Sequence, residues 1–200
     1  MKICITIDDV LRDKTRQFGK IFKKYIDENI DLQSLNLEND DLCEVFKFNS
    51  RNEYNEFLYK DYAYEIFAEA PVTEKMIDKN LNLWHLSLTD YDDLDEPIEL
   101  VLANTKEFNF SIGYTCFFLS KIATKCREIY FPKDGAELWD KCDVIITADK
   151  HILETKPEGK KSVKITMPYN EECECDLEYF TLVELMQDNK FIEKLTNNDN

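Results

Sequence analysis

Short apolar runs alternate with amphipathic stretches along most of this chain. Residues 2–7 (Lys2-Ile3-Cys4-Ile5-Thr6-Ile7) make a compact, β-branched run that predicts a buried strand. Over 12–29, Phe18, Ile21, Phe22, Tyr25 and Ile26 recur at helical spacing, which predicts an amphipathic helix. Residues 98–103, 128–131, 143–147 and 162–167 predict further strands, with helices over 112–126, 136–141 and 181–195. Strand and helix alternate without hairpin turns, so the expected fold class is α/β, a Rossmann-like, mostly parallel sheet with helices on both faces. Between 29 and 96 the pattern turns aromatic and acidic. There 42–48 reads as a possible short strand, while 53–67 and 73–88 read as helices carrying Tyr54, Phe57, Leu58, Tyr62 and Ile77, Leu81, Trp84. Residues 91–97, an acidic run closed by Pro97, read as a loop.

Length and charge narrow this picture. Two hundred residues allow one domain with a real core and a small insertion. A net charge of -16 excludes a broad nucleic-acid-binding face, which needs clustered Lys and Arg, and favours basic or protein partners. No apolar run approaches the roughly 20 residues of a bilayer span, and the first residues lack the basic-then-apolar layout of a signal peptide. A cytoplasmic protein without membrane contact is expected. Seven cysteines, an odd number scattered through apolar segments, suit reduced and mostly buried thiols. The Cys173-x-Cys175 pair lacks the second pair that a zinc site requires.

Candidate chemistry follows from where ligands bind on parallel sheets, beyond the carboxyl ends of the strands. That rule gathers Asp8, Asn104 and Asp149, which follow three of the predicted strands. The first strand and its exit, Lys2-Ile3-Cys4-Ile5-Thr6-Ile7-Asp8-Asp9-Val10-Leu11, resemble the opening motif of the haloacid dehalogenase-like (HAD) phosphohydrolases. In those enzymes a strand ends in Asp-x-Asp-x-Val/Thr-Leu, the first Asp attacking phosphorus and the second moving the proton. Aligned on Val10-Leu11, the resemblance puts Thr6 at the nucleophile and Asp8 at the acid/base. Residues 139–153, with Asp143-Val144-Ile145-Ile146-Thr147-Ala148-Asp149, resemble the fourth motif of the deoxyribonucleotidase-like branch, with Thr147 and Ala148 on the acidic pair and Asp149 one step late. Lys133 falls at the third-motif lysine. In Leu100-Val101-Leu102-Ala103-Asn104-Thr105, the register puts Ala103 at the phosphate-holding Ser/Thr of the second motif, with Asn104 and Thr105 beside it as phosphate-binding candidates. Lys164-Ile165-Thr166-Met167-Pro168-Tyr169-Asn170 is similar to a late strand and loop of the same branch.

The resemblance implies a HAD-like core over 1–12 and 98–200, with 13–97 inserted as a mainly helical cap. It implies Mg²⁺ as cofactor only for a working site, at Asp8 and Asp149. With Thr6, Thr147 and Ala148 standing where carboxylates are needed, the expected function is that of a pseudoenzyme. Such a phosphatase-like scaffold would bind a protein partner or assembly, with a nucleotide or phosphate as a residual ligand at Asp8, Asn104 and Lys133. The alternative is an active Mg²⁺-dependent 5'-nucleotidase acting on deoxynucleoside monophosphates through Asp8 with Asp9 or Asp149. A third reading, an unrelated α/β binding module, takes Asp8-Asp9 as an acidic pair at a helix N-terminus. The Lys/Asn/Glu/Asp/Ile-rich texture resembles HAD-like nucleotidase relatives of bacteria and large tailed phages, which would extend the location to host cytoplasm or virion.

Overall fold

The structure, a computed structural model, describes residues 1–89, 97–108, 110–122 and 124–196. Most of the acidic loop expected over 91–97, and the chain end at 197–200, lie outside the described residues. Six strands form one sheet: β1 (Lys2–Thr6), β2 (Glu99–Ala103), β3 (Ile129–Tyr130), β4 (Val144–Thr147), β5 (Lys161–Ile165) and β6 (Leu177–Tyr179). All pairings are parallel and the order is β3-β2-β1-β4-β5-β6, so β1 is central. Thr6 pairs with Ala103, and Ile5 pairs with Ile146. The expected α/β fold is the one observed.

Alternation along β1 explains why the run reads as continuously apolar. Ile3 and Ile5 point into one core layer with Leu100, Leu102, Val144, Ile146 and Val163. Cys4 points the other way, into a second layer with Val101, Ile145, Leu138 and Trp139. The first layer is covered by α4 (Ile77–Thr89), α5 (Ser111–Lys121), α8 (Leu182–Gln187) and α9 (Phe191–Thr196). The second is covered by α6 (Gly135–Lys141) and α7 (Lys150–Glu154), tied by a Trp139 Nε1 hydrogen bond to the Ile152 carbonyl at 3.0 Å.

A third apolar cluster belongs to the segment after β1. It joins α1 (Lys14–Tyr25), α2 (Leu42–Val45), α3 (Arg51–Glu56) and two π-helical turns, Phe57–Asp61 and Tyr64–Ala68, around Phe18, Phe22, Phe46, Phe57, Ile66 and Phe67. Helix α4, later in the same stretch, buries Ile77, Leu81, Trp84 and Leu88 against the sheet instead. The segment's two ends run side by side, since Asp13 N–H bonds the Pro71 carbonyl and Thr73 N–H bonds that of Leu11.

Three element expectations need correction. The strand expected at 42–48 is the helical turn α2, because Asp41 accepts the Cys43 N–H and sends Phe46 into the aromatic cluster. The helix expected over 53–67 starts at Arg51 behind the Ser50 cap and widens into the two π turns, a local change that sequence periodicity does not register. The helix expected over 181–195 breaks at Asp188, whose carboxylate accepts from Lys190 N–H and the Tyr179 hydroxyl while its carbonyl accepts from Phe191 N–H.

Candidate functional site

Strands β2, β1 and β4 end side by side, and the residues after them meet. Asp8 lies two residues beyond β1, Asn104 directly follows β2, and Asp149 lies two residues beyond β4. All three line one small cavity of about 80 Å³, together with Thr6, Asp9, Lys14, Thr105, Lys106 and Tyr169. The expected meeting of Asp8, Asn104 and Asp149 is therefore what the sheet produces. Lys133 is elsewhere: it is exposed at the start of α6, and its backbone N–H donates to Glu137 Oε2 at 2.9 Å.

The turn after β1 decides the chemistry. Asp9 takes a left-handed backbone (φ 58°), a conformation Asp tolerates better than most residues. The turn closes through Asp9 N–H to the Arg12 carbonyl and Arg12 N–H to the Ile7 carbonyl. This folds Arg12 and Lys14 back over Asp8. Asp8 Oδ1 accepts from Arg12 Nε at 2.8 Å and Nη2 at 2.5 Å, and Oδ2 accepts from Lys14 Nζ at 2.9 Å and Asn104 Nδ2 at 3.1 Å. Both carboxylate oxygens are thus filled by nitrogen donors. Burial alone would raise the Asp8 pKa, but the Arg12 and Lys14 charges outweigh it and hold the group well below the usual carboxylate range.

Arg12 is fully buried and uses every N–H it has. Its remaining donors reach the Phe67 carbonyl at 3.0 Å, Thr115 Oγ1 at 2.6 Å and Glu107 Oε1 at 3.2 Å. Asn104 and the Thr115 hydroxyl also donate to Glu107 Oε1. Glu107 Oε2 is buried without a hydrogen-bond partner among the described residues. Two cations and two carboxylates therefore form one ion network in which every charge has an opposite partner, which is how buried charges are tolerated.

The other candidate groups are also engaged. The buried Thr6 hydroxyl donates to Thr147 Oγ1 at 3.0 Å, across to the neighbouring strand β4. Thr147 Oγ1 in turn accepts the Asp149 N–H at 2.9 Å. Asp149 caps α7 through the His151 N–H at 2.9 Å and pairs with Lys106 Nζ at 3.1 Å. Asp9 accepts from Thr15 N–H at 2.9 Å, Thr15 Oγ1 at 2.6 Å and the Tyr169 hydroxyl at 3.0 Å. Burial pushes the Asp9 carboxyl up against the Thr15 hydrogen bonds, and burial beside Asp9 pushes the Tyr169 phenol well up.

These residues do not fit a divalent cation. Each oxygen of Asp8 faces nitrogen donors, and Ala148, expected at an acidic-pair position, is buried and apolar. Among the described residues no group of three or more His, Cys, Asp or Glu side chains is arranged to hold a metal. Sequence reasoning missed Arg12, Lys14, Lys106 and Glu107. The available signal was the Asp8/Arg12 and Asp8/Lys14 spacing, which means an ion pair only once the Asp9 turn is known.

Solved structures share this fold. YfnB of Bacillus subtilis, a HAD-type hydrolase crystallised with magnesium, superposes with a TM-score of 0.54 over 92% of this chain and 96% of its own, at 11% sequence identity. A haloacid dehalogenase-like hydrolase of Burkholderia xenovorans LB400 gives 0.49 over 98% of each chain, at 12% identity. No protein-family model and no curated protein matches the sequence. The overlay with YfnB defines the class: an α/β protein with the HAD-like hydrolase fold. The likeness extends to the fold alone.

Proposed function

We propose that this protein keeps the HAD-like scaffold for binding and has lost metal-dependent phosphoryl transfer. One observation carries the reading: the Asp8 carboxylate is saturated by Arg12, Lys14 and Asn104. An acid/base residue must exchange a proton near the working pH, and a metal ligand must present a free lone pair. Asp8, held ionised and fully hydrogen-bonded, does neither. Thr6 adds no substitute, since its hydroxyl lacks a carboxylate base.

A nucleotide is a poor match for the cavity, whose volume of about 80 Å³ is well below the roughly 300 Å³ at which ligand pockets begin. A phosphate-sized anion near Asn104, Thr105 and Lys106 is the largest residual ligand the cavity suits. The interaction reading draws further support from Phe108, Phe110 and Phe117, large apolar side chains exposed at 59%, 75% and 47%. The tyrosines of the segment after β1 are engaged: Tyr54 packs on Phe18 and Phe48, Tyr59 stacks on Phe67 and Tyr62 on Tyr25, while the exposed Tyr64 meets Tyr114 and Phe117.

The test is phosphate release from deoxynucleoside and ribonucleoside monophosphates and an aryl phosphate, with Mg²⁺ and with chelator. No metal-dependent turnover is expected from the folded protein. Mg²⁺-dependent release abolished by Asp8→Asn would instead establish the nucleotidase alternative.

A further inference from the structure

We infer that the Lys14 ammonium is a resident cation at Asp8, occupying the position a divalent ion would need and making the site indifferent to metal. The inference deepens the binding reading above and rests on it. Its basis is geometric. Lys14 is the first residue of α1, and its side chain is only 8% exposed. Its Nζ lies 2.9 Å from Asp8 Oδ2, and no second acceptor is within hydrogen-bonding distance among the described residues. The ammonium also lies over the Phe67 ring, 5.5 Å from the centroid. Asn104 Nδ2 donates to the same Oδ2 from the β2 side at 3.1 Å, so that oxygen already has two nitrogen donors. A buried lysine costs desolvation energy, so this one persists because Asp8 compensates it.

Charge balance sharpens the inference. Arg12 alone leaves the Asp8 and Glu107 pair one positive charge short; Lys14 supplies it. Asp9, Asp40 and Asp149 line the same cavity against Lys106 and Lys150, so removing the ammonium would leave carboxylates in excess there, with Asn104 the one remaining side-chain donor on Asp8 Oδ2 among the described residues. Hard divalent cations favour such a pocket. Lys14 thus holds metal out of the site in the intact protein.

The experiment is thermal unfolding with Mg²⁺ and with Mn²⁺ for the wild type, Lys14→Met and the double variant Lys14→Met/Asp8→Asn. Met keeps the apolar stem against Phe67 without the charge. The wild type is expected to show no metal-dependent shift. Lys14→Met should rise by about 3 to 5 °C at a metal concentration ten times its dissociation constant. The double variant should lose that rise. A folded Lys14→Met with no metal response would overturn the inference. Should the variant not fold, Mn²⁺ titration of the wild type followed by NMR decides: unchanged signals from residues 6–14 are expected, and selective paramagnetic broadening there would overturn it. Wild-type metal binding without phosphate release would sink this inference alone, whereas phosphate release would sink the binding reading.

Discussion

At the residue scale the protein turns on Asp8 and the two cations over it. Asp8→Asn would leave Arg12 and Lys14 facing a neutral amide inside the protein, with an expected loss of about 3 to 5 kcal/mol in urea unfolding. A loss under about 1 kcal/mol would mean the network contributes little. The pH dependence has a definite sign. The folded Asp8 pKa is depressed by Arg12 and Lys14 against burial, so its stabilisation is present above the unfolded carboxylate value, about 3.9, and is lost as pH falls through the folded value. The stability gap between wild type and Asp8→Asn should therefore narrow as pH drops from 5 toward 2 in paired denaturation curves. Asp9, raised by burial and in smaller part by the Asp8 charge, works in the opposite sense. The sequence made Asp8, Asn104 and Asp149 legible as neighbours because strand ends set their positions. It did not reveal the partners of Asp8, because Arg12 and Lys14 reach it only through the left-handed turn at Asp9. Lys133, expected beside them, stays on the surface.

At the element scale, strands buried on both faces leave continuous apolar runs, and β1, β2 and β4 were legible for that reason, whereas β5 buries Ser162 and Lys164. Strand β6 was not, since Leu177–Tyr179 is short and sits in an acidic stretch. The two π turns escaped because widened turns keep the composition of a helix. Two substitutions probe the packing. Trp84→Ala would remove the α4 side chain that meets the Phe191 ring at 5.7 Å and is expected to cost about 3 to 5 kcal/mol in chemical denaturation. A cost below about 1 kcal/mol would mean α4 is only loosely seated on the sheet. At Gly135, a Cβ would come within 3.1 Å of Thr155 Oγ1 and 3.3 Å of Ile152 Cγ1, where α6 crosses α7. Gly135→Ala should accordingly lower stability by about 1 to 3 kcal/mol, and an unchanged midpoint would show that α7 yields freely.

For the whole molecule, a central parallel sheet carries candidate residues on the ends of β2, β1 and β4, while the segment after β1 builds its own aromatic cluster and covers them. Arg12 joins these parts directly, reaching the Phe67 carbonyl in that segment, Thr115 on α5 and Asp8 beside the sheet. Among the described residues no helix is long and apolar enough to cross a membrane. The scaffold is that of a hydrolase fold, but the groups at its strand ends satisfy one another. Self-satisfaction of this kind is the physical content of the proposed loss of activity, since catalysis requires groups left available for substrate and metal.

The most direct test is a crystal structure at high resolution grown in Mg²⁺ and inorganic phosphate. Lys14 Nζ should remain within hydrogen-bond distance of Asp8 Oδ2, with Arg12 on Oδ1 and no metal at either oxygen. A magnesium ion coordinated by Asp8, with the Lys14 side chain displaced, would contradict this.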